Sequence, residues 1–297
     1  MFARALVATD LSPASQSMIN GANKLSSLGV KEIVLLHCYS ANDMTGVSFA
    51  NGGAELDVLL QKQADQLQSL GFQTSTRTCT GNPQHGVKDV AKDCACDLVV
   101  IGSHGHAIRS GMHLGGRAWG IIHNSVLPVL VMRLVAHEKE GVKLADETAN
   151  LLERVMLATD FSPQAEAAVP YVGEMVRKGA RDILLVHVQD AAVIDPYLMD
   201  KREEFDLFDR QQLEDTQRKI FDKSGIDESR KSSIQVNIDI RYGKPSMELL
   251  EAESDFNPSI IVMGTHGKGF VKEIFMGSVS HAVTRHAKTV MLLIPQK

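Results

Sequence analysis

The sequence predicts an α/β fold in which one unit of parallel strands and covering helices occurs twice. Three observations carry this expectation. Short apolar runs alternate with longer amphipathic or charged stretches, the pattern of buried strands joined by helical crossovers. The same series of motifs recurs in the same order in both halves of the chain. Each half also places a glycine-spaced segment between its fourth apolar run and a helix start, where backbone must turn sharply from strand to helix.

The repeat can be followed residue by residue. Ala5-Leu-Val-Ala-Thr-Asp10-Leu-Ser12-Pro13 corresponds to Val155-Met-Leu-Ala-Thr-Asp160-Phe-Ser162-Pro163, an offset of 150. Ile33-Val-Leu-Leu-His37-Cys38 corresponds to Ile183-Leu-Leu-Val-His187-Val188 at the same offset. Gly81-Asn-Pro83 then matches Gly243-Lys-Pro245, and Gly102, Gly105 and Gly115 match Gly264, Gly267 and Gly277, both at an offset of 162. The second copy therefore carries 12 additional residues between its second and third strands. A chain of 297 residues holds two such domains comfortably. Their expected extents are 1–135 and 152–297. The polar stretch between them, containing Glu138-Lys-Glu140 and Asp146-Glu147, reads as a linker over 136–151.

In the second copy, residues 154–159 form the first strand, and Ser162-Pro163 supplies an N-cap followed by proline at the first helical position. Pro170 falls within the same helical pattern and should kink it or shorten its start. Residues 182–188 form a second buried strand. A charged helix over 201–223 carries Phe205, Phe208, Leu213, Ile220 and Phe221. Ile234, Val236, Ile238 and Ile240 alternate with polar residues as a half-exposed edge strand does. A helix over 246–254, a strand over 259–263, a helix over 277–286 and a last strand over 289–294 complete the unit. The first copy follows the same order and ends in Pro128-Val-Leu-Val-Met132. The right-handed crossover rule then places ligands beyond the C-terminal strand ends, so Asp160, Val188 and the Gly264 turn should surround one crevice.

Composition narrows the function. An apolar fraction of 44% with 23% charged residues is that of a globular protein. The net charge of −5 argues against a general nucleic-acid binder. No apolar run is long enough to span a bilayer, and the apolar stretch at the N-terminus is too short for a signal peptide. Cys38, Cys79, Cys94 and Cys96 all lie in the first half; they do not read as a disulfide framework, and a reducing cytosol is the natural compartment.

The chemistry concentrates at the glycine segments. Gly264-Thr-His-Gly267 and Gly277-Ser278 follow the run Ile260-Ile-Val-Met263 and precede a helix, an arrangement suited to holding an anion. The first copy ends its segment in Gly115-Gly116, without the hydroxyl. Asp10 and Asp160 each precede Ser-Pro at a helix start, so capping and ligand contact are both open to them. His104, His106 and His113, like His266, His281 and His286, have no acid or cysteine at metal-ligand spacing. Cys94-Ala-Cys96 reads as small residues in a packed turn, with redox or metal chemistry a minor alternative. Arg109, Lys268 and Lys272 sit in loops from which a phosphate is within reach, though solvated charge is the commoner role. No G-x-x-x-x-G-K-[ST], G-x-S-x-G or kinase signature is present, and no general base is paired with a nucleophile.

Together, the acid ending strand one, the His-x pair closing strand two and the G-x2-G-x9-G-[ST] spacing after strand four resemble the universal stress protein family, in its tandem form. The resemblance covers nearly the whole chain apart from the linker and the regions around the second helices. It implies Rossmann-like domains of the adenine nucleotide alpha-hydrolase type, each a five-stranded parallel sheet in the order 3-2-1-4-5 with helices on both faces. It implies dimerisation through the last strand, which in a tandem chain can occur between the two halves, with a homodimer of chains also open; charge, hydropathy and cysteine usage separately point to a cytoplasmic location with no nucleic-acid or membrane partner. In ATP-binding members the nucleotide lies across strands one and four. By correspondence, Asp160 approaches the ribose, the backbone of Val188 meets adenine, Gly264 contacts the ribose, Gly267, Gly277 and Ser278 hold phosphates, and Met263 is a further cofactor-binding position. Asp10, Cys38, Gly102, Gly105, Gly115 and Gly116 are the weaker counterparts. Thr289 stands where proline is common, and Trp119 can take up space near the first cleft. The implied cofactor is ATP with Mg²⁺.

Three functions remain open: a nucleotide-binding stress or regulatory module, with ATP held mainly in the second domain; a slow ATP hydrolase; and an interaction scaffold that binds another small ligand. Retention of ATP, turnover and the identity of a co-purifying ligand separate them.

Overall fold

The computed structural model describes residues 1–39, 48–103, 114–137, 141–145, 150–193, 202–267 and 276–295. The chain divides into two compact units, Met1–Ala149 and Asn150–Lys297. Each contains a parallel five-stranded sheet of the expected order.

In the first unit the elements are β1 (Arg4–Thr9), α1 (Pro13–Asn20), β2 (Glu32–Tyr39), α2 (Ser48–Ser69), β3 (Gln73–Thr80), α3 (Pro83–Asp93), β4 (Leu98–Gly102), α4 (Gly116–Asn124) and β5 (Val129–Met132). The strands lie in the order β3-β2-β1-β4-β5. Two further strands, β6 (Leu134–His137) and β7 (Gly141–Leu144), pair antiparallel across the start of the stretch read as polar linker. This hairpin is tied to the unit: the Ser17 hydroxyl of α1 donates to the carbonyl of Val142, and Leu134 N–H donates to the buried Ser103 hydroxyl at 3.0 Å.

The second unit comprises β8 (Arg154–Ala158), α5 (Pro163–Glu166), α6 (Val169–Lys178), β9 (Asp182–Asp190), α7 (Arg202–Ser224), α8 (Glu228–Lys231), β10 (Gln235–Gly243), α9 (Pro245–Phe256), β11 (Ile260–Gly264), α10 (Ser278–His286) and β12 (Met291–Ile294). Its strand order is β10-β9-β8-β11-β12. Part of the added length of this copy forms the connection from Gly225 to Ile234, which contains α8; its counterpart in the first unit runs only from Leu70 to Phe72.

Local chemistry explains the boundaries. Ser12 and Ser162 cap the helices after the first strands, their hydroxyls accepting from Ser15 N–H at 3.2 Å and Ala165 N–H at 3.1 Å. Pro170 lies at the start of α6 and separates it from the single turn of α5, as a proline without a donor N–H requires. The central strands are apolar because both faces are covered: Ala5, Leu6 and Val7 of β1 and Val155, Met156 and Leu157 of β8 are all buried. The duplication extends to ion pairs at the strand starts, Arg4 with Glu32 and Arg154 with Asp182.

Two features depart from the sequence reading. Cys38 and Cys79, which the sequence does not pair, are register partners on β2 and β3 and form a disulfide, with Cα atoms 4.5 Å apart. Proximity across two sheet strands far apart in sequence brings them together. On α7, Leu213 and Ile220 are buried, but Phe208 is 58% exposed because it lies off the stripe formed by Leu213, Thr216, Ile220 and Ser224. Among the described residues, no helix is long and apolar enough to cross a membrane.

Helices α6 and α7 pack closely at Gly173, where a Cβ would stand 2.8 Å from Lys223 Cβ and 3.0 Å from the Ile220 carbonyl oxygen. Gly173→Val should therefore destabilise the second unit by about 1–3 kcal/mol, read as a lower urea midpoint.

Candidate functional site

The candidate site of the second unit begins where β8 ends. Thr159 N–H continues the sheet by donating to the Val186 carbonyl at 3.0 Å, and the chain then reverses through Phe161 with φ of 61°. Leu11, at the same place in the first unit, has φ of 60°. A left-handed conformation at non-glycine residues is costly, and its occurrence in both copies marks the turn as tightly constrained. Two hydrogen bonds support it: Phe161 N–H donates to Thr159 Oγ1 at 3.1 Å, and Ser162 N–H donates to Asp160 Oδ1 at 3.0 Å. Asp160 thus organises a helix start through one carboxylate oxygen.

The other oxygen faces the glycine segment. A Cβ at Gly267 would stand 2.3 Å from Asp160 Oδ2. Gly264, which ends β11, has the α5 backbone beside it: a Cβ there would lie 3.2 Å from the Gln164 carbonyl oxygen. Gly277 closes the segment by donating its N–H to Thr265 O at 2.8 Å, and it occupies the N-cap of α10 without a capping side chain. Ser280, in the first turn of α10, donates to Gly264 O at 2.9 Å and fixes the helix against the strand end. Asp160, Gly264, Gly267 and Gly277 are therefore brought together. Ser278, the first residue of α10, is exposed. Val188 lies near the C-terminal end of β9, half-buried and in register with Arg241, and Met263 is buried in β11.

A polar cluster at the end of β9 was not legible in the sequence. Gln189 donates its amide to Asp206 Oδ1 at 2.9 Å and to Asp209 Oδ2 at 2.8 Å. His187 stacks on Phe161 with ring centroids 4.3 Å apart, and its Nδ1 lies 2.9 Å from Thr159 O. The histidine that closes strand two thus helps to hold the strand-one turn. His37 repeats the contact with Thr9 O at 3.0 Å.

The first unit keeps this framework and changes its chemistry. Asp10 Oδ1 accepts from Ser12 N–H at 3.1 Å and from the hydroxyls of both Ser12 and Ser15. Ala165 replaces Ser15 in the second copy and offers no hydroxyl. Gly102 ends β4, and Gly115 donates its N–H to Ser103 O at 2.9 Å. Gly116 opens α4, and a Cβ there would meet no atom within 4 Å. Trp119 lies half-buried on α4 with its ring 6.3 Å from that of His123. Gly105, His104, His106, Arg109, His113, Lys268 and Lys272 lie outside the described residues. Among the described residues, no group of three or more His, Cys, Asp or Glu is placed to hold a metal ion. A cavity of about 460 Å³ in the first unit is lined by Arg4, Glu32, Gln73 and Cys94, at the opposite strand ends, and is separate from the glycine turn.

The Cys94-Ala-Cys96 motif is a packed turn. Ala95 has φ of 50°, and Cys96 is buried. Burial first, and the neighbouring Cys94 second, push the Cys96 thiol up to about 11.

Comparison with known proteins adds the family. The model of the universal stress protein family matches residues 1–133 and 152–295. A universal stress protein of Mycolicibacterium smegmatis is 23% identical over 305 residues, covering 97% of this chain and 96% of its own. The universal stress protein MJ0577 of Methanocaldococcus jannaschii is 27% identical over 164 residues, covering 50% of this chain and 97% of its own. Among solved structures, a universal stress protein from Archaeoglobus fulgidus superposes with a TM-score of 0.70 at 20% identity, over 99% of this chain and 96% of that one.

The raised Cys96 value gives a test. Burial disfavours the thiolate, so only about one Cys96 in a thousand is ionised at pH 8. Its alkylation by iodoacetamide in the native protein should run about a hundredfold slower than for an ordinary cysteine and rise about tenfold per pH unit towards pH 11. Mass spectrometry of the labelled peptide reads this rate.

Proposed function

The chain belongs to the universal stress protein family, and from that premise we propose that it binds an adenine nucleotide, ATP with Mg²⁺, in the crevice of its second unit. ATP serves there as a ligand whose occupancy is read out as conformation or assembly, in a stress-response or regulatory role, rather than as a fuel.

One observation carries this reading: the glycine segment passes against Asp160 Oδ2 so closely that a Cβ at Gly267 would stand only 2.3 Å from it. A bare backbone there sets the carboxylate and the peptide N–H groups of the segment side by side at the strand ends, where a ligand of such a sheet meets both. The first turn of α10 adds to it. Helix geometry leaves the first N–H groups without intrahelical acceptors, and their positive dipole end favours phosphate oxygens. The Ser278 hydroxyl, on a solvent-exposed residue at the helix start, supplies a further donor. These residues fit a phosphorylated ligand. When bound, Mg²⁺ would neutralise phosphate charge; the protein's own part is to position the ribose with Asp160, accept the base beside Val188, and hold phosphates with Gly267, Gly277 and Ser278.

The first unit supports binding less well. Gly116 has no hydroxyl where Ser278 has one, and the Asp10 carboxylate is engaged by two serine hydroxyls. The second unit is accordingly the tighter site.

Calorimetric titration of the full chain with ATP and Mg²⁺ tests the assignment. Ser278→Ala should weaken binding about tenfold, the scale of one hydrogen bond to a charged group. Gly267→Val should weaken it further, because the new side chain meets Asp160. Gly116→Ser, which has open space around it, should leave the tight site unchanged. Unaltered affinity in both second-unit variants, with folding verified by circular dichroism, would contradict the assignment.

A further inference from the structure

The edge strand of the first unit is held unusually. β3 lies at the end of its sheet with β2 as its neighbour. Its sequence, Gln-Thr-Ser-Thr-Arg-Thr-Cys-Thr, contains no aliphatic or aromatic residue, and none of its residues is buried. The matching strand of the second unit, β10, places Val236, Ile238 and Ile240 half-buried on one alternation. Hydrophobic anchoring of the edge strand is thus present in one copy and missing in the other.

The Cys38–Cys79 disulfide stands where that anchoring is missing. It joins register partners near the C-terminal ends of β2 and β3. Both cysteines are half-buried, so solvent reaches the region of the bridge. Helix α3 lies directly over it: a Cβ at Gly86 would stand 2.3 Å from Cys79 Sγ and 2.9 Å from Cys38 Sγ. The corresponding residues of the second unit are Val188, Arg241 and Glu248. Two cysteines and the glycine that makes room for them therefore occur together in one copy only. Cys94 and Cys96, the other two cysteines, are free.

We propose that Cys38–Cys79 is a reversible thiol–disulfide exchange site, with dithiol reductants as its substrates, that fastens the edge strand β3 when oxidised and releases it when reduced. The thiolate of the external dithiol attacks one bridge sulfur and forms a mixed disulfide, while the other cysteine leaves as a thiolate and takes up a proton. The second thiol of the reagent then displaces the remaining cysteine. The external dithiol becomes a cyclic disulfide, and the protein gains two electrons and two protons. Re-oxidation requires a low-molecular-weight disulfide such as glutathione disulfide, which is reduced to two thiols as the bridge re-forms.

The test uses the full chain and dithiothreitol. Alkylation after denaturation should modify two cysteines in untreated protein and four after native treatment with dithiothreitol. Removal of the reductant and addition of glutathione disulfide should return the count to two. Hydrogen exchange read by mass spectrometry should then show residues 73–80 exchanging on the order of tenfold faster in the reduced protein. Residues 235–243 serve as the internal control and should not change. Cys79→Ala should reproduce the reduced pattern and be insensitive to dithiothreitol; if that variant does not fold, the wild-type pair of measurements decides. Four alkylated cysteines before reduction, a bridge that resists dithiothreitol in the native protein or fails to re-form, or unchanged exchange at 73–80 would each overturn the proposal.

Discussion

The second unit is organised around a space that a side chain cannot occupy. The Asp160 carboxylate stands where a Cβ on residue 267 would be, so the strand-four segment must pass that point as bare backbone. The same carboxylate caps the turn out of β8 through Ser162 N–H. One acid thus fixes the start of α5 and sets how closely the Gly267 segment approaches. The approach of the segment's backbone N–H groups to the strand end depends on this contact. The left-handed turn at Phe161, stacked on His187, holds the acid in place.

Much of this was legible in the sequence because it follows from short-range rules. Apolar runs such as Ile260-Ile-Val-Met263 read directly as buried strands, and Ser162-Pro163 reads as a helix start. Pro170 marked the break between α5 and α6. The glycine spacing together with Asp160 marked two segments that the fold does bring into contact. What was not legible depends on long-range geometry. Nothing in Leu11 or Phe161 signals a left-handed backbone, since neither residue favours it; the surrounding hydrogen bonds impose it. The Gln189 bridge to Asp206 and Asp209 joins a strand to a helix across a gap with no sequence signature. Cys38 and Cys79 are separated by 41 residues and meet only through strand register. The β6–β7 hairpin lies in a stretch whose charge hid its short alternating strands.

The two units show how one framework diverges through small substitutions. Ser278 and Gly116 differ by a hydroxymethyl group, and Ser15 and Ala165 by a single hydroxyl, yet each change bears on how an anion or a carboxylate is satisfied. The Val188 and Arg241 pair of the second unit becomes a covalent bridge in the first. The ion pairs at the strand starts, the serine caps and the histidine contacts with Thr9 and Thr159 are retained in both. The elements that build the sheet are shared, and the changes at residues 15/165, 38/188 and 116/278 lie towards the C-terminal strand ends where ligands of such sheets bind.

If the second unit, through Asp160 and its glycine segment, is the nucleotide site, then a ligand must leave its mark there and not at the matching turn of the first unit. Hydrogen exchange of the full chain with and without ATP and Mg²⁺ reads this directly, because it locates the ligand without altering the protein. Slowed exchange is expected at residues 159–162, 264–267 and 278–282, with residues 9–12 and 115–119 unchanged at the same concentration. Protection confined to the first unit, or none in either at saturating nucleotide, would contradict it.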